Sequence, residues 1–342
     1  MTTHAPTPAP ITASTTASTH APAYASPADV AAYGPYGPGR TDRSGPLYPF
    51  QGRITAGGSG EYPAEPGRYH LYVSYTCPWA QRVAIVRDLA GLRDVVSLSY
   101  VDDDRDARGW AFRERRGPDP VNGFTLLSEA YDATEPGYPG HISVPVVWDR
   151  RTNRIVSNDY AVIPFDLGTA FAEWAGPGLD LYPADLRDEI EVLDEEIARD
   201  VSQGVNLVAR ASTQEEYERW RDQVTAALDR LDARLAGRRY LFGDRLTESD
   251  VQLWVVLVRF DLLHNPLAGI SERPLTGYPN LWAYARDLYG IPAFRETTDF
   301  AAFRISGRPA PSGDGPVRIE VAPHEADWHE PHGREALTGE HV

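Results

Sequence analysis

A chain of 342 residues that is 42% hydrophobic, with 8 Trp and 18 Tyr, is long and apolar enough to build two domains with their own cores. The formal net charge is −16, every basic side chain is an arginine, and no basic cluster or stripe occurs, which argues against a nucleic-acid backbone as partner. One cysteine excludes an internal disulfide framework, no apolar run approaches membrane-spanning length, and no charged and then apolar leader opens the sequence, so a cytoplasmic protein without a membrane partner is expected.

The first residues, 1–45, are Ala, Thr, Pro and Ser with few large apolar groups, and a disordered tail is expected there because little surface could be buried to offset ordering entropy. From Phe50 aromatics and paired turn residues appear, and an α/β domain is expected over 46–170. Leu71 and Val73 alternate with His70, Tyr72 and Ser74, a short β pattern. Pro78 then favours a first helical turn, and Ala80, Val83, Ala84 and Val86 to Leu89 carry a helical run to Gly91.

Cys77 therefore falls at a helix N-terminus, where unpaired amides and the positive end of the helix dipole favour a thiolate. A lone cysteine is ordinarily a small buried hydrophobe. A Cys-Pro pair opening a helix straight after a strand is instead how thioredoxin-like folds present a reactive sulfur. Ala80 stands where a C-x-x-C pair would have its second cysteine, and no other cysteine exists in the chain. Redox or transfer chemistry at Cys77 thus needs an external cosubstrate, glutathione or another low-molecular-weight thiol.

Residues 95–101 (VVSLSYV) read as a second strand, parallel to the first across the intervening helix. The long stretch that follows, with Asp102 to Asp104 and Trp110 and running to His141, lacks periodicity and is expected to line a site. Val144 to Trp148 and Arg154 to Ser157 read as a hairpin around Asp149 to Asn153, after which Asn158 or Asp159 can cap a helix. Pro145 fits either an edge strand or a cis bond that turns the backbone of Val144 toward a ligand.

Beyond residue 180 the apolar spacing changes to three and four, as in Leu186, Ile190, Leu193, Ile197 and Val201, so an all-α domain over 180–305 is expected to form the second wall of the site. Thr247 to Asp250 reads as a capping box. Residues 306–342 revert to Pro, Gly and charge, a flexible tail whose His324, His329 and His332 lack the fixed geometry of a metal site.

The Cys-Pro-Trp-Ala run, Trp110, Val144-Pro145 and VSND before a helix together resemble the glutathione transferase fold, and more narrowly its xi class, the glutathionyl-hydroquinone reductases. The resemblance extends over residues 48–300 and includes GRRYLFGDRLTESD and YPNLWAYARDLY. It implies a thioredoxin-like N-terminal domain, an all-α C-terminal domain and a homodimer. It assigns Cys77 as nucleophile, Val144 with Pro145 as the backbone partner of the bound thiol, and Trp110 as a wall of that site. It puts Asp159, with Tyr160 beside it, where the family's acidic residue meets the γ-glutamyl ammonium. The implied reaction is attack of Cys77 on an S-conjugate of a quinone-like or other hydrophobic electrophile, giving a mixed disulfide that a second thiol resolves.

Four positions depart from the family pattern. A Glu-Ser pair is replaced by Asp159-Tyr160, and two tyrosines that face the substrate oxygen are replaced by Asn206 in GVNLV and His264 in VRFDLLH. His264 reads either as a helix-end surface histidine or as an acid that replaces the phenol. Trp79 reads either as core or as a wall of the substrate site. A conjugating S-transferase or dehalogenase, in which Cys77 only positions the thiol, and a noncatalytic ligand-binding homologue stand as alternatives.

Overall fold

The computed structural model describes residues 22–37, 46–58, 60–175, 179–305 and 315–337. Helix α1 (Val30–Tyr33) and a short parallel pair, β1 (Ile54–Thr55) and β2 (Tyr62–Pro63), precede the main sheet. Its strands are β3 (Tyr69–Val73), β4 (Ser97–Tyr100), β5 (Val146–Asp149) and β6 (Arg154–Ser157), in the order β4-β3-β5-β6. Helix α2 (Pro78–Leu89) makes the crossover between β3 and β4, which pair in parallel with His70 opposite Ser97; β5 runs antiparallel to β3 and β6. The thioredoxin-like arrangement expected from the sequence is thereby present.

Both faces of β3 are covered, so all five residues are buried and the polar half of its alternation must be satisfied inside. His70 does this through Nδ1, 2.7 Å from Ser97 Oγ, and burial pushes the ring down to about 3, leaving it neutral. Helices α3 (Ser128–Thr134) and α4 (Ile163–Ala170) complete this half, α4 packing on α2. Neither expected cap serves α4: its N-cap is Val162, without a side-chain hydrogen bond. Asp159 instead accepts the Ala161 N–H at 3.0 Å in the preceding turn, and Asn158 is buried as a cross-link. Its Oδ1 accepts the Phe50 N–H at 3.2 Å while its amide donates to the Tyr131 and Ser143 hydroxyls at 3.3 Å. Residues 50–52 thus run along the edge of β6, close enough that a Cβ on Gly52 would lie 2.7 Å from the Val156 carbonyl oxygen.

The second half is helical: α5 (Arg187–Glu196) continued by a π-helical segment over Ile197–Ser202, α6 (Gly204–Arg210), α7 (Gln214–Arg234) and α8 (Glu248–Arg259). A second π-helical segment, Phe260–His264, leads into α9 (Asn265–Ala268), followed by α10 (Pro279–Gly290), α11 (Pro292–Arg295) and α12 (Phe300–Ile305). Every residue of α8 is buried, as befits the central helix of a bundle. Its capping box is the one expected: the Asp250 carboxylate accepts the Thr247 N–H at 2.8 Å, and also the Leu241 N–H and the Tyr284 hydroxyl. Trp254 is core, packed on Phe294 and Trp328. The two halves meet where α2 lies on α8, joined by a buried Arg82–Glu248 ion pair. Removing one partner of such a pair costs about 3–5 kcal/mol.

Both expected tails need correction. Ala25 and Asp29 donate backbone N–H groups to the Phe112 carbonyl and the Asp106 carboxylate, and Arg108 reaches Ser26 and Pro27, so residues 22–37 lie against the 102–113 loop. At the other end Arg318 donates to the carbonyls of Val208, Ala209, Ala211 and Ala268, satisfying the C-terminal ends of α6 and α9. Arg334 does the same for Leu235 and Arg239 after α7, while Trp328 packs among Trp254, Trp282, Tyr289 and Phe300. Single arginines and one tryptophan fasten segments whose composition reads as unstructured. Residues 1–21, 38–45, 306–314 and 338–342 lie outside the described residues. The three tail histidines go to separate partners: His324 to Thr276, His329 to the Tyr289 ring, His332 to Glu335.

Candidate active site

Cys77 is the N-cap of α2, with extended φ/ψ (−94°, 116°), because Pro78 takes the first helical position and the turn before it closes on itself. The Ser74 carbonyl accepts the Cys77 N–H at 3.3 Å, Ser74 Oγ accepts the Thr76 N–H at 3.2 Å, and the Cys77 carbonyl accepts the Gln81 N–H at 3.0 Å. The half-buried sulfur faces the loop before β5, where the Val144–Pro145 peptide is cis and the Val144 carbonyl accepts from Sγ at 3.6 Å. Ser143 at the start of that loop is held by the Tyr131 hydroxyl, which accepts its N–H at 3.1 Å and donates to its carbonyl at 2.9 Å.

A cleft of about 300 Å³ opens over the sulfur between the two halves. Cys77, Trp79, Trp110 and Val144 line it from the α/β side; Asn206 and His264 line it from α6 and the second π-helical segment. Six of the expected site residues thus come together. Pro145, Asp159 and Tyr160 do not line it. The Tyr160 ring stacks on that of Trp79, with 4.7 Å between the centroids.

The region 214–287 matches the family model for the glutathione S-transferase C-terminal domain. The chain is 38% identical to the glutathionyl-hydroquinone reductase PcpF of Sphingobium chlorophenolicum over 68% of its own length and 74% of that protein. It is 36% identical to the glutathionyl-hydroquinone reductase YqjG of Escherichia coli over 82% of its length and 87% of that protein. The glutathione-bound structure of YqjG superimposes with a TM-score of 0.77 over 84% of this chain and 97% of that one. The xi transferase of Phanerochaete chrysosporium does so with a TM-score of 0.73, 35% identity and coverage of 80% and 98%. The chain belongs to the xi class of glutathione transferases.

In this xi-class transferase the sulfur is not the thiolate expected from its helix position. Burial pushes the Cys77 thiol up, and the opposing N–H groups of Ala80 and Trp79 and the Arg259 and Arg105 guanidinium groups do not reverse the shift. The helix end is present, but desolvation outweighs it. His264 is neither the surface histidine nor an acid titrating near neutrality: burial, reinforced by Arg259, pushes it down to about 3. It is a neutral imidazole whose Nε2 is buried without a partner among the described residues. Asn206 donates from Nδ2 to the Ser202 carbonyl at 2.9 Å, which leaves Oδ1 as its remaining acceptor.

Sequence reasoning missed Tyr36, Tyr48, Arg105, His141 and Arg210, all of which line the cleft of this transferase. The Arg105 guanidinium lies between the rings of Tyr36 and Trp110, at 4.0 and 4.1 Å from their centroids. Burial pushes the Tyr48 phenol up to about 12, so it stays a protonated donor beside Cys77. Tyr36 falls in the stretch whose low-complexity composition concealed it. Arg105 lies in the aperiodic loop that was expected to line a site, the one signal that could have found it.

Proposed function

We propose that this xi-class transferase removes glutathione from S-conjugates of quinone-like compounds by thiol-dependent reduction. The carrying observation is a single cysteine at a helix N-cap, open to an interdomain cleft, with no second cysteine in the chain to resolve a disulfide. The relatives PcpF and YqjG bear the name of this activity, and glutathione is bound in the YqjG structure.

Cys77 loses its proton to solvent, and the thiolate attacks the glutathionyl sulfur of the conjugate. An S–S bond forms, the C–S bond breaks, and the electron pair leaves with the organic carbon, which takes up a proton and is reduced. A second glutathione, as thiolate, attacks the mixed disulfide, releases oxidised glutathione and returns Cys77 as a thiolate. Val144 offers its carbonyl to the glutathione peptide, Trp110 walls that half, and Asp159 with Tyr160 receives the γ-glutamyl end beyond the Trp79 stack. Asn206 Oδ1 and the neutral His264 take the quinol oxygens on the organic half. The protein works as a homodimer in the cytoplasm, whose reduced thiol pool the second step requires.

The test is product analysis with a glutathionyl-hydroquinone and glutathione. Equimolar oxidised glutathione and free hydroquinone are expected. A conjugating transferase, favoured by the burial that holds Cys77 as a thiol, would instead form a thioether from a halogenated substrate and leave the S-conjugate intact. Binding without either product would mean a noncatalytic homologue.

A further inference from the structure

Arg259 ends α8 with no solvent exposure, and its bonding differs from that of Arg68 and Arg82. Arg68 and Arg82 each meet a buried carboxylate, Asp149 and Glu248. Arg259 meets none among the described residues. Nη1 donates to the Gln81 side-chain oxygen and to the Val255 carbonyl (2.9 Å), Nη2 to the Tyr75 carbonyl (2.8 Å), and the Phe303 ring lies 4.1 Å from its central carbon. Nε is buried and finds no acceptor among the described residues. Asp299, near the Thr297 and Thr298 groups that orient the Gln81 amide, is already held by Arg116 at 2.5 Å.

A buried cation with only neutral partners is expensive unless an anion forms nearby. Its contacts say where. Tyr75 lies two residues before Cys77 and Gln81 four after it, with the Gln81 N–H bonded to the Cys77 carbonyl, so the guanidinium grips both sides of the turn that carries the sulfur. We propose that Arg259 is the positioning residue of the nucleophile: it fixes the Cys77 turn from the helical domain and supplies the counter-charge of the thiolate that forms there. This rests on reading Cys77 as the nucleophile. The other groups around the sulfur are the Arg105 guanidinium, the Tyr48 and Tyr160 phenols, His141, and the neutral imidazole of His264. Arg105 is the second cation, engaged between two rings at the cleft; the phenols oppose a thiolate. The sulfur of Cys77 is in turn the group that offsets the downward push of burial on Arg259.

The test reads Cys77 ionisation alone, as the pH dependence of iodoacetamide alkylation of the full chain without substrate, with folding checked by circular dichroism. Arg259→Gln should raise the inflection by about one pH unit or more. An unmoved inflection in folded Arg259→Gln would overturn the proposal and leave Arg259 a strut. Should Arg259→Gln fail to fold, Arg259→Met decides, because it keeps an unbranched chain of similar length and removes the charge: a raised inflection supports the proposal and an unchanged one overturns it. No conjugate enters this assay, so its failure leaves the reductase assignment standing, and failure of that assignment leaves the shift in place.

Discussion

The Cys77 thiol donates to the carbonyl oxygen of Val144 at 3.6 Å, so the nucleophile rests against the backbone group assigned to the cosubstrate. A thiolate has no proton to donate, so ionisation gives up this bond as well as moving charge into a half-buried site. Both effects favour the thiol in the substrate-free protein. Its alkylation by iodoacetamide should rise with pH through an inflection above the ordinary cysteine value of about 8.5. A plateau already reached at pH 7 would contradict this and restore the thiolate expected from helix position alone.

Cys77→Ser should abolish formation of oxidised glutathione, by about a thousandfold or more, because a hydroxyl cannot form a mixed disulfide. The fold should be unaffected, since serine is nearly isosteric and the sulfur makes one weak hydrogen bond. Turnover and thermal melting of the variant check both halves. Undiminished reduction would favour a conjugating mechanism.

With its folded value at about 3, His264 stays neutral from pH 5 to 9, so the activity profile should show no step near the histidine reference of about 6.5. His264→Phe should nonetheless lower kcat by about 10- to 100-fold through the loss of one hydrogen bond to the organic half, with a smaller change in KM. Steady-state kinetics across pH decide it. A step near 6.5 that vanishes in the variant would mean that the ring titrates.

Asp194 near the end of α5 lies beside the Arg82–Glu248 ion pair, and burial followed by Glu248 pushes its carboxyl up to about 9. A folded value above the unfolded one of about 3.9 means that the folded chain keeps a proton the unfolded chain has released. This contribution is full below about pH 4 and is lost as pH rises toward 9, at up to ~1.4 kcal/mol per pH unit. Asp194→Asn, whose oxygen can still accept from Ser249, should flatten the fall of the urea midpoint between pH 5 and 8. Parallel slopes in wild type and variant would assign the pH dependence elsewhere.

What the sequence by itself determined lies within a turn or two of the residue concerned. The strand before Cys77, Pro78 at the first helical position and the Thr247–Asp250 capping box follow from local alternation, fixed φ and short-range hydrogen bonds. The absence of a second cysteine, and with it the need for an external thiol, was legible by counting. Tertiary structure decided the rest. Whether Cys77 is thiol or thiolate, and whether His264 is a surface base or a neutral, half-buried ring, depends on desolvation by segments far away in sequence. Composition likewise failed at residues 22–37 and 315–337, where Arg108, Arg318, Trp328 and Arg334 anchor the chain to carbonyls and rings of segments far away in sequence. Arg259 is the clearest case: VRFD gives a charge at a helix end, and only the packing of α8 against α2 buries that charge against the Tyr75 carbonyl and the Gln81 side chain. Burial is a property of the assembled fold, and it outweighs what any local pattern says about a charge.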